Sequence, residues 1–130
     1  MRIALLSAFA ALAVLAAAPA GRAQADGEDP GVIARQIHDG CVRRGEDARV
    51  CACGVGVAYA KLEPAAFALI PKIDPLIDEP DRGKQLTGLL TVASQSRMNV
   101  AQVQSAYETI RANRATVRQV CAPLGPARPK

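Results

Sequence analysis

The chain has 130 residues, half of them hydrophobic, four aromatic side chains, and a formal net charge of +4. That bounds it to one small domain with a thin aliphatic core. The basic excess is too slight to mark a nucleic-acid binder, and an N-terminal segment suited to export points away from nucleic acid as well.

The first segment, MRIALLSAFAALAVLAAAPAGRAQA, opens with a positive charge at Arg2, continues in an apolar run from Ile3 to Ala18, and closes on a stretch of mostly small residues, with Arg22 among them, ending Ala23-Gln24-Ala25. This is the order of a secretory signal peptide, expected to be cleaved after Ala25. The 16-residue run is short for a bilayer span, which needs about 20 residues. No cysteine or lipobox stands at the cleavage point. The expected organisation is therefore a signal peptide over 1–25, a helical domain over 26–122 and a disordered tail over 123–130. The expected location is periplasmic or secreted, with no stable membrane span after cleavage. The mature part keeps 14 basic and 12 acidic residues, a net +2.

Asp29-Pro30 supplies an N-cap followed by proline at the first helical position. Ile33, Ile37 and Cys41 recur at i, i+4, i+8, and Gly45 is a C-terminal stop, so the first helix is expected over 30–44. Asp47 caps a second helix over 48–62. From Val50 to Ala60 (VCACGVGVAYA) no residue is charged, which predicts a helix at the centre of a bundle. Gly54 and Gly56 each cost about 1 kcal/mol in a helix interior, and close approach by a neighbour would explain both. A strand with Val55 and Val57 alternating with glycine is the competing reading. Arg49, Tyr59 and Lys61 fit helical flanks better.

Pro64 opens a short third helix over 64–70, anchored by Phe67 and Ile70. Pro71, Pro75 and Pro80 punctuate the middle of the chain, since proline sits badly inside a helix and well in a first turn. Asp74-Pro75 can start a short turn, and Glu79-Pro80 a fourth helix over 80–96 with Leu86, Leu89, Leu90 and Ala93 inward. Asn99 with Gln102 resembles a capping box opening the longest helix, 100–121. Its stripe holds Val103, Tyr107, Ile110, Val117 and Cys121, and Pro123 and Gly125 end it. The fold class is all-α: a small bundle of four to five helices stapled by disulfides.

Four cysteines in a small exported chain read first as two disulfides. Residues i and i+2 of a helix point about 200° apart, so Cys51 and Cys53 cannot pair with each other. Each can instead tie its helix to a different neighbour. Cys41 and Cys51 are equidistant from Glu46, at matched heights in an antiparallel hairpin. That favours Cys41–Cys51 with Cys53–Cys121, and leaves Cys41–Cys53 with Cys51–Cys121 open.

Other chemistries for these residues are weaker. His38 and Cys41, with the remaining cysteines, could form a soft site for Cu(I) or Zn(II), but exported thiols oxidise and opposed Cys51 and Cys53 would not converge on one ion. A thiol–disulfide shuttle lacks a thioredoxin-like context. One His, no G-x-S-x-G or S-x-x-K, and an incomplete glycine loop argue against an enzyme, a catalytic residue or a cofactor. Asp74, Asp78, Glu79 and Asp81 lack EF-hand spacing and read as a solvated acidic loop. From Arg97 to Lys130 there are six basic residues and one acid, Glu108. Arg111, Arg114 and Arg118 fall on one side of the last helix, able to dock an acidic protein or an anionic envelope component, or to be an ordinary solvated face.

The leader, a first helix ending in Cys41, the C-x9-C-x-C run through Cys53, LEPAAF and the helical Cys121 together resemble small, functionally uncharacterised exported helical proteins of Gram-negative bacteria. That resemblance implies a fold and a compartment but carries over no activity. The expected function is non-catalytic binding or envelope-stress interaction. The alternatives are a soft-metal or thiol-redox protein, and an acid-activated periplasmic chaperone. Chaperones of that last kind share size and class with this chain, but their single disulfide does not match four cysteines.

Overall fold

Local capping sets the helix starts. In the computed structural model, which describes residues 27–126, Asp29 accepts from the backbone N–H of Gly31 and Val32 at 2.7 and 3.2 Å. With Pro30 at the first position this begins α1 (Pro30–Arg43). The expected signal peptide, and residues 127–130 of the expected tail, lie outside the described residues. Gly45 takes φ +88°, a left-handed conformation that glycine adopts without a Cβ penalty, and the chain turns back. Asp47 accepts from Arg49 N–H at 2.8 Å and starts α2 (Ala48–Lys61).

The third helix departs from expectation. α3 (Pro64–Ile77) does not stop at residue 70 but runs through Pro71 and Pro75. Each internal proline removes one backbone bond and costs about 3 kcal/mol. Against that, α3 buries Phe67, Leu69, Ile70 and Ile73. At about 1.5–3 kcal/mol per buried side chain, this burial matches or exceeds the loss. The two prolines are four residues apart, hence on one face, and that face is the more exposed one. Apolar residues on both sides of the prolines share one core, so the helix continues.

α4 (Arg82–Ser96) begins two residues later than expected, because Asp81 and not Glu79 is its cap. Asp81 accepts from Gly83 and Lys84 N–H at 2.8 and 3.0 Å, while Glu79 Oε1 accepts from Asp81 N–H at 3.0 Å. Its inward face is also rotated. Leu89, Val92 and Ala93 are buried, whereas Leu86 and Leu90 are 56% and 46% exposed. Two contacts explain the rotation. Gln85 turns inward and donates to Leu76 C=O at 2.9 Å and to Tyr107 OH at 3.0 Å. Gly88 lies against α3, where an added Cβ would come within 2.5 Å of a Leu76 methyl.

α5 (Val100–Cys121) starts with a complete capping box: Asn99 Oδ1 accepts from Gln102 N–H at 2.8 Å, and Gln102 Oε1 from Asn99 N–H at 2.9 Å. Its buried stripe is Val103, Ala106, Tyr107, Ile110 and Cys121, with Val117 half-buried. A 3-10 turn, Ala122–Leu124, follows it.

Among the described residues the architecture is a five-helix bundle with α3 and α5 side by side in the middle. The α1–α2 hairpin packs on one side, α1 against α3 and α2 against α5, and α4 packs against both central helices. Ile73, Val103 and Ile110 form the most enclosed part of the core. α2, expected at the centre, lies on the flank. Only Cys51 and Ala58 of it are buried, and Tyr59 is 65% exposed, edge-on to Phe67. A helix of alanine and glycine has little apolar area to bury, so the leucine- and isoleucine-bearing α3 and the long α5 take the middle.

The two α2 glycines therefore have different roles. A Cβ on Gly54 would sit 3.1 Å from Val117 Cγ1, whereas one on Gly56 would meet nothing within 4 Å. Gly56→Ala is expected to stabilise the domain by about 1 kcal/mol through helix propensity alone. Gly54→Ala is expected to gain clearly less, because Val117 must give way. Urea titration of both variants checks this, and equal gains would contradict the close α2–α5 approach.

Candidate functional site

The cysteines build the frame of the site. Cys41 of α1 is bonded to Cys51 of α2, with Cα atoms 5.7 Å apart, and Cys53 of α2 to Cys121 of α5, at 5.8 Å. The favoured pairing is the one found. Residues i and i+2 leave α2 on opposite sides, so one helix is anchored to two neighbours. All four sulfurs are consumed. A thiolate metal site would first need both bonds reduced, and among the described residues no three His, Cys, Asp or Glu side chains are grouped to hold an ion. His38 faces Asp39, with Nδ1 3.2 Å from the carboxylate.

Between the stapled hairpin and the central helices runs an open groove of about 1030 Å³. Its apolar strip comes from Ile37 of α1, Val50 and Val55 of α2, and Val117 of α5, all half-buried. The segment after α5 closes one end, where Gly125 lies against Val50. Arg44, Arg114 and Arg118 line the groove together with Asp74 and Asp78. A smaller cleft of about 540 Å³, between α1 and α3, shares Arg44, Asp74 and Asp78 with it. The charged cluster thus stands where the two depressions meet.

The cluster has a definite geometry. Arg114 donates through both Nη atoms to the two oxygens of Asp78, at 3.0 and 2.9 Å. Its Nε lies 3.5 Å from Asp74 Oδ1, and Arg44 Nη2 lies 3.1 Å from Asp74 Oδ2. Asp74 and Asp78 are one helical turn apart at the end of α3, so they share a face. The hydrogen bonds from Arg114 hold the Asp78 carboxyl below its ordinary range, helped by the nearby charges of Arg44 and Arg118. Asp78 in turn raises the Arg114 guanidinium, despite partial burial.

This distribution changes the reading of the basic patch. Arg114 is engaged within the fold. Arg118 lines the groove with it, while Arg111 is exposed and does not line the groove. Arg44 is the member that sequence reasoning missed, because nothing local relates it to Arg114. The acids expected as one loop divide between two tasks: Asp74 and Asp78 hold arginines, and Glu79 and Asp81 organise the start of α4. The i, i+4 spacing of the first two was present, but ending helix three at 70 hid it.

The Asp78–Arg114 pair predicts an acid-limb effect. A carboxyl depressed in the folded state stabilises above its unfolded pKa, near 3.8, and that contribution is lost as pH falls through the folded value. Asp78 is mostly exposed, so the contribution is modest, about 0.5 kcal/mol after solvent screening. Asp78→Asn is expected to flatten the loss of stability below about pH 4 and to leave its shape above pH 5 unchanged. Urea midpoints across pH 2–7 measure it, and an unaltered acid limb would show that the pair does not act in solution.

Among the described residues no helix is long and apolar enough to cross a membrane. Comparison of the chain with protein-family models, with curated proteins and with solved structures found no match.

Proposed function

We propose that this is an exported, non-catalytic binding protein that holds an anionic component of the cell envelope at the arginine end of its groove. The observation carrying this reading is the unused donor capacity of two of the three arginines that line the groove, Arg44 and Arg118. Arg44 makes one ion-pair contact and Arg118 none among the described residues, which leaves donors free for an incoming anion. Export is supported by the leader sequence and by cysteines spent as interhelical staples, a usage suited to an oxidising compartment. Open on one side and rigidified by the staples, the groove suits binding from solvent without a large ordering cost.

The test is sedimentation of the oxidised mature protein with isolated Gram-negative envelopes. The wild type is expected to co-sediment at low salt and to be released at high salt, as exposed charge pairs are screened. Arg44→Glu with Arg118→Glu is expected to remain in the supernatant at both. Equal sedimentation of the two proteins would reject the reading.

A further inference from the structure

We infer that the groove is covered at the α1–α2 turn by the chain's own basic segment, residues 127–130, which docks as a strap with Arg128 seated on Glu46. This contact is separate from the anion site and does not depend on it. Charge complementarity is the first support. Four carboxylates line the groove, from Glu46, Asp47, Asp74 and Asp78, against three guanidiniums, from Arg44, Arg114 and Arg118. Asp74 and Asp78 are held by Arg44 and Arg114. Asp47 caps α2 and has Arg49 at 3.4 Å. Arg44, two residues before Glu46, is turned to Asp74. Glu46 is exposed and makes no ion pair among the described residues. One acid at the turn is therefore left without a counter-charge. The segment that follows Pro126 brings two bases and no acid, Arg128 and Lys130.

The path of the described chain is the second support. Ala122, Pro123, Gly125 and Pro126 line the groove, and Gly125 lies against Val50 of α2. Val50 stands about one helical turn past Asp47, so the chain reaches Pro126 beside the α1–α2 turn. Arg128 is two residues farther, a reach of about 7 Å of extended chain before its own side chain is counted. Glu46 is four residues before Val50, about 6 Å at helical rise. The two lengths match with no change in the bundle. Pro126 and Pro129 each fix a φ angle, and a residue that precedes proline, as Arg128 does, is biased to extended backbone, so less chain entropy opposes docking. The long disulfide fixes where the segment starts, because Cys121 is bonded to Cys53 on the same α2. With Arg128 and Lys130 added, five bases stand against four acids, and the groove changes from net acidic to net basic.

The experiment is backbone amide relaxation by nuclear magnetic resonance on the oxidised mature protein, read at Arg128 as salt is raised. At low salt the Arg128 order parameter is expected above about 0.6, the level under which backbone counts as flexible. It should fall below that level near about 1 M salt, where the screening length is about 3 Å. Glu46→Gln should produce the same fall at low salt. Arg128→Gln with Lys130→Gln should shift the amide resonances of Glu46, Asp47 and Val50 and leave those of α4 in place. Glu46→Lys combined with Arg128→Glu should restore the order parameter, since the pair is exchanged and not removed. Glu46 is exposed and outside the core, so its substitutions leave the fold intact. An Arg128 order parameter below about 0.6 at low salt would overturn the inference. So would order that persists in Glu46→Gln, or that the exchanged pair does not recover. None of these results alters the envelope sedimentation test, which reads Arg44 and Arg118.

Discussion

Cys53→Ala with Cys121→Ala is expected to destabilise the domain by about 4 kcal/mol, since on the loop-entropy model it releases a constraint across 68 residues. Cys41→Ala with Cys51→Ala, across 10 residues, is expected to cost about 3 kcal/mol. The total stability of a domain this size is about 5–15 kcal/mol, so losing both links should leave it marginal or unfolded. The long link matters in a second way. Cys121 is fully buried at the end of α5, and its bond to Cys53 fixes the end of that helix against α2 beside the groove. Urea unfolding measures both effects. The midpoint should fall, and the slope should rise as the denatured chain loses its cross-link and expands. A loss of less than about 0.5 kcal/mol for the long link would show the sulfurs to be bystanders in this fold.

Ile73→Ala is expected to cost about 3–4 kcal/mol, from the methylenes lost and the cavity left behind. Ile73 has no solvent exposure and sits in the core on α3, between the two prolines. Its burial is part of what offsets Pro71 and Pro75, so the variant also probes the continuity of that helix. Weakening the hydrophobic side should let the proline cost show as local fraying of residues after Pro71, read by amide exchange. Leu86→Ala is the matched control. Leu86 is as large and as apolar as Ile73 but is 56% exposed, so truncation should change stability by less than about 0.5 kcal/mol. If Leu86→Ala cost as much as Ile73→Ala, the observed orientation of α4 would be wrong.

Leu86 also shows where sequence reasoning failed. Leu86, Leu89, Leu90 and Ala93 satisfy a helical stripe, but so do Gln85, Leu89, Val92 and Ser96, and periodicity alone prefers the greasier set. The choice was made by Leu76 and Tyr107, which offer Gln85 two acceptors, and by Gly88, which admits α3. Tyr107 lies 22 residues from Gln85, and Leu76 comes within reach only because α3 continues past its prolines. The misplacement of α2 has a similar origin. An uncharged run reads as a buried one, yet alanine and glycine bury little area, and the centre went to helices with more to gain.

The candidate site was legible in part. Arg111, Arg114 and Arg118 could be picked out as neighbours on one helix face, of which Arg114 and Arg118 line the groove, and the observed cysteine pairing was the one favoured, though not the only one left open, by angular position and symmetry about Glu46. The groove itself could not be foreseen, because its walls come from α1, α2, α3 and α5 at once. Arg44 and Asp74 are 30 residues apart and Asp78 and Arg114 36 apart, distances over which no local pattern operates.

What the amino-acid order determined by itself is everything settled within a turn or two of chain: the caps at Asp29, Asp47 and Asn99, the left-handed stop at Gly45, and the divergence of Cys51 from Cys53. What only the tertiary structure decided is which helices lie inside, that α3 persists through its prolines, which face of α4 turns inward, and which arginines meet which acids. The reason is the range of the forces. Capping and dihedral preferences act between near neighbours in sequence, whereas burial and ion pairing act between neighbours in space, and those exist only after the chain has closed on itself.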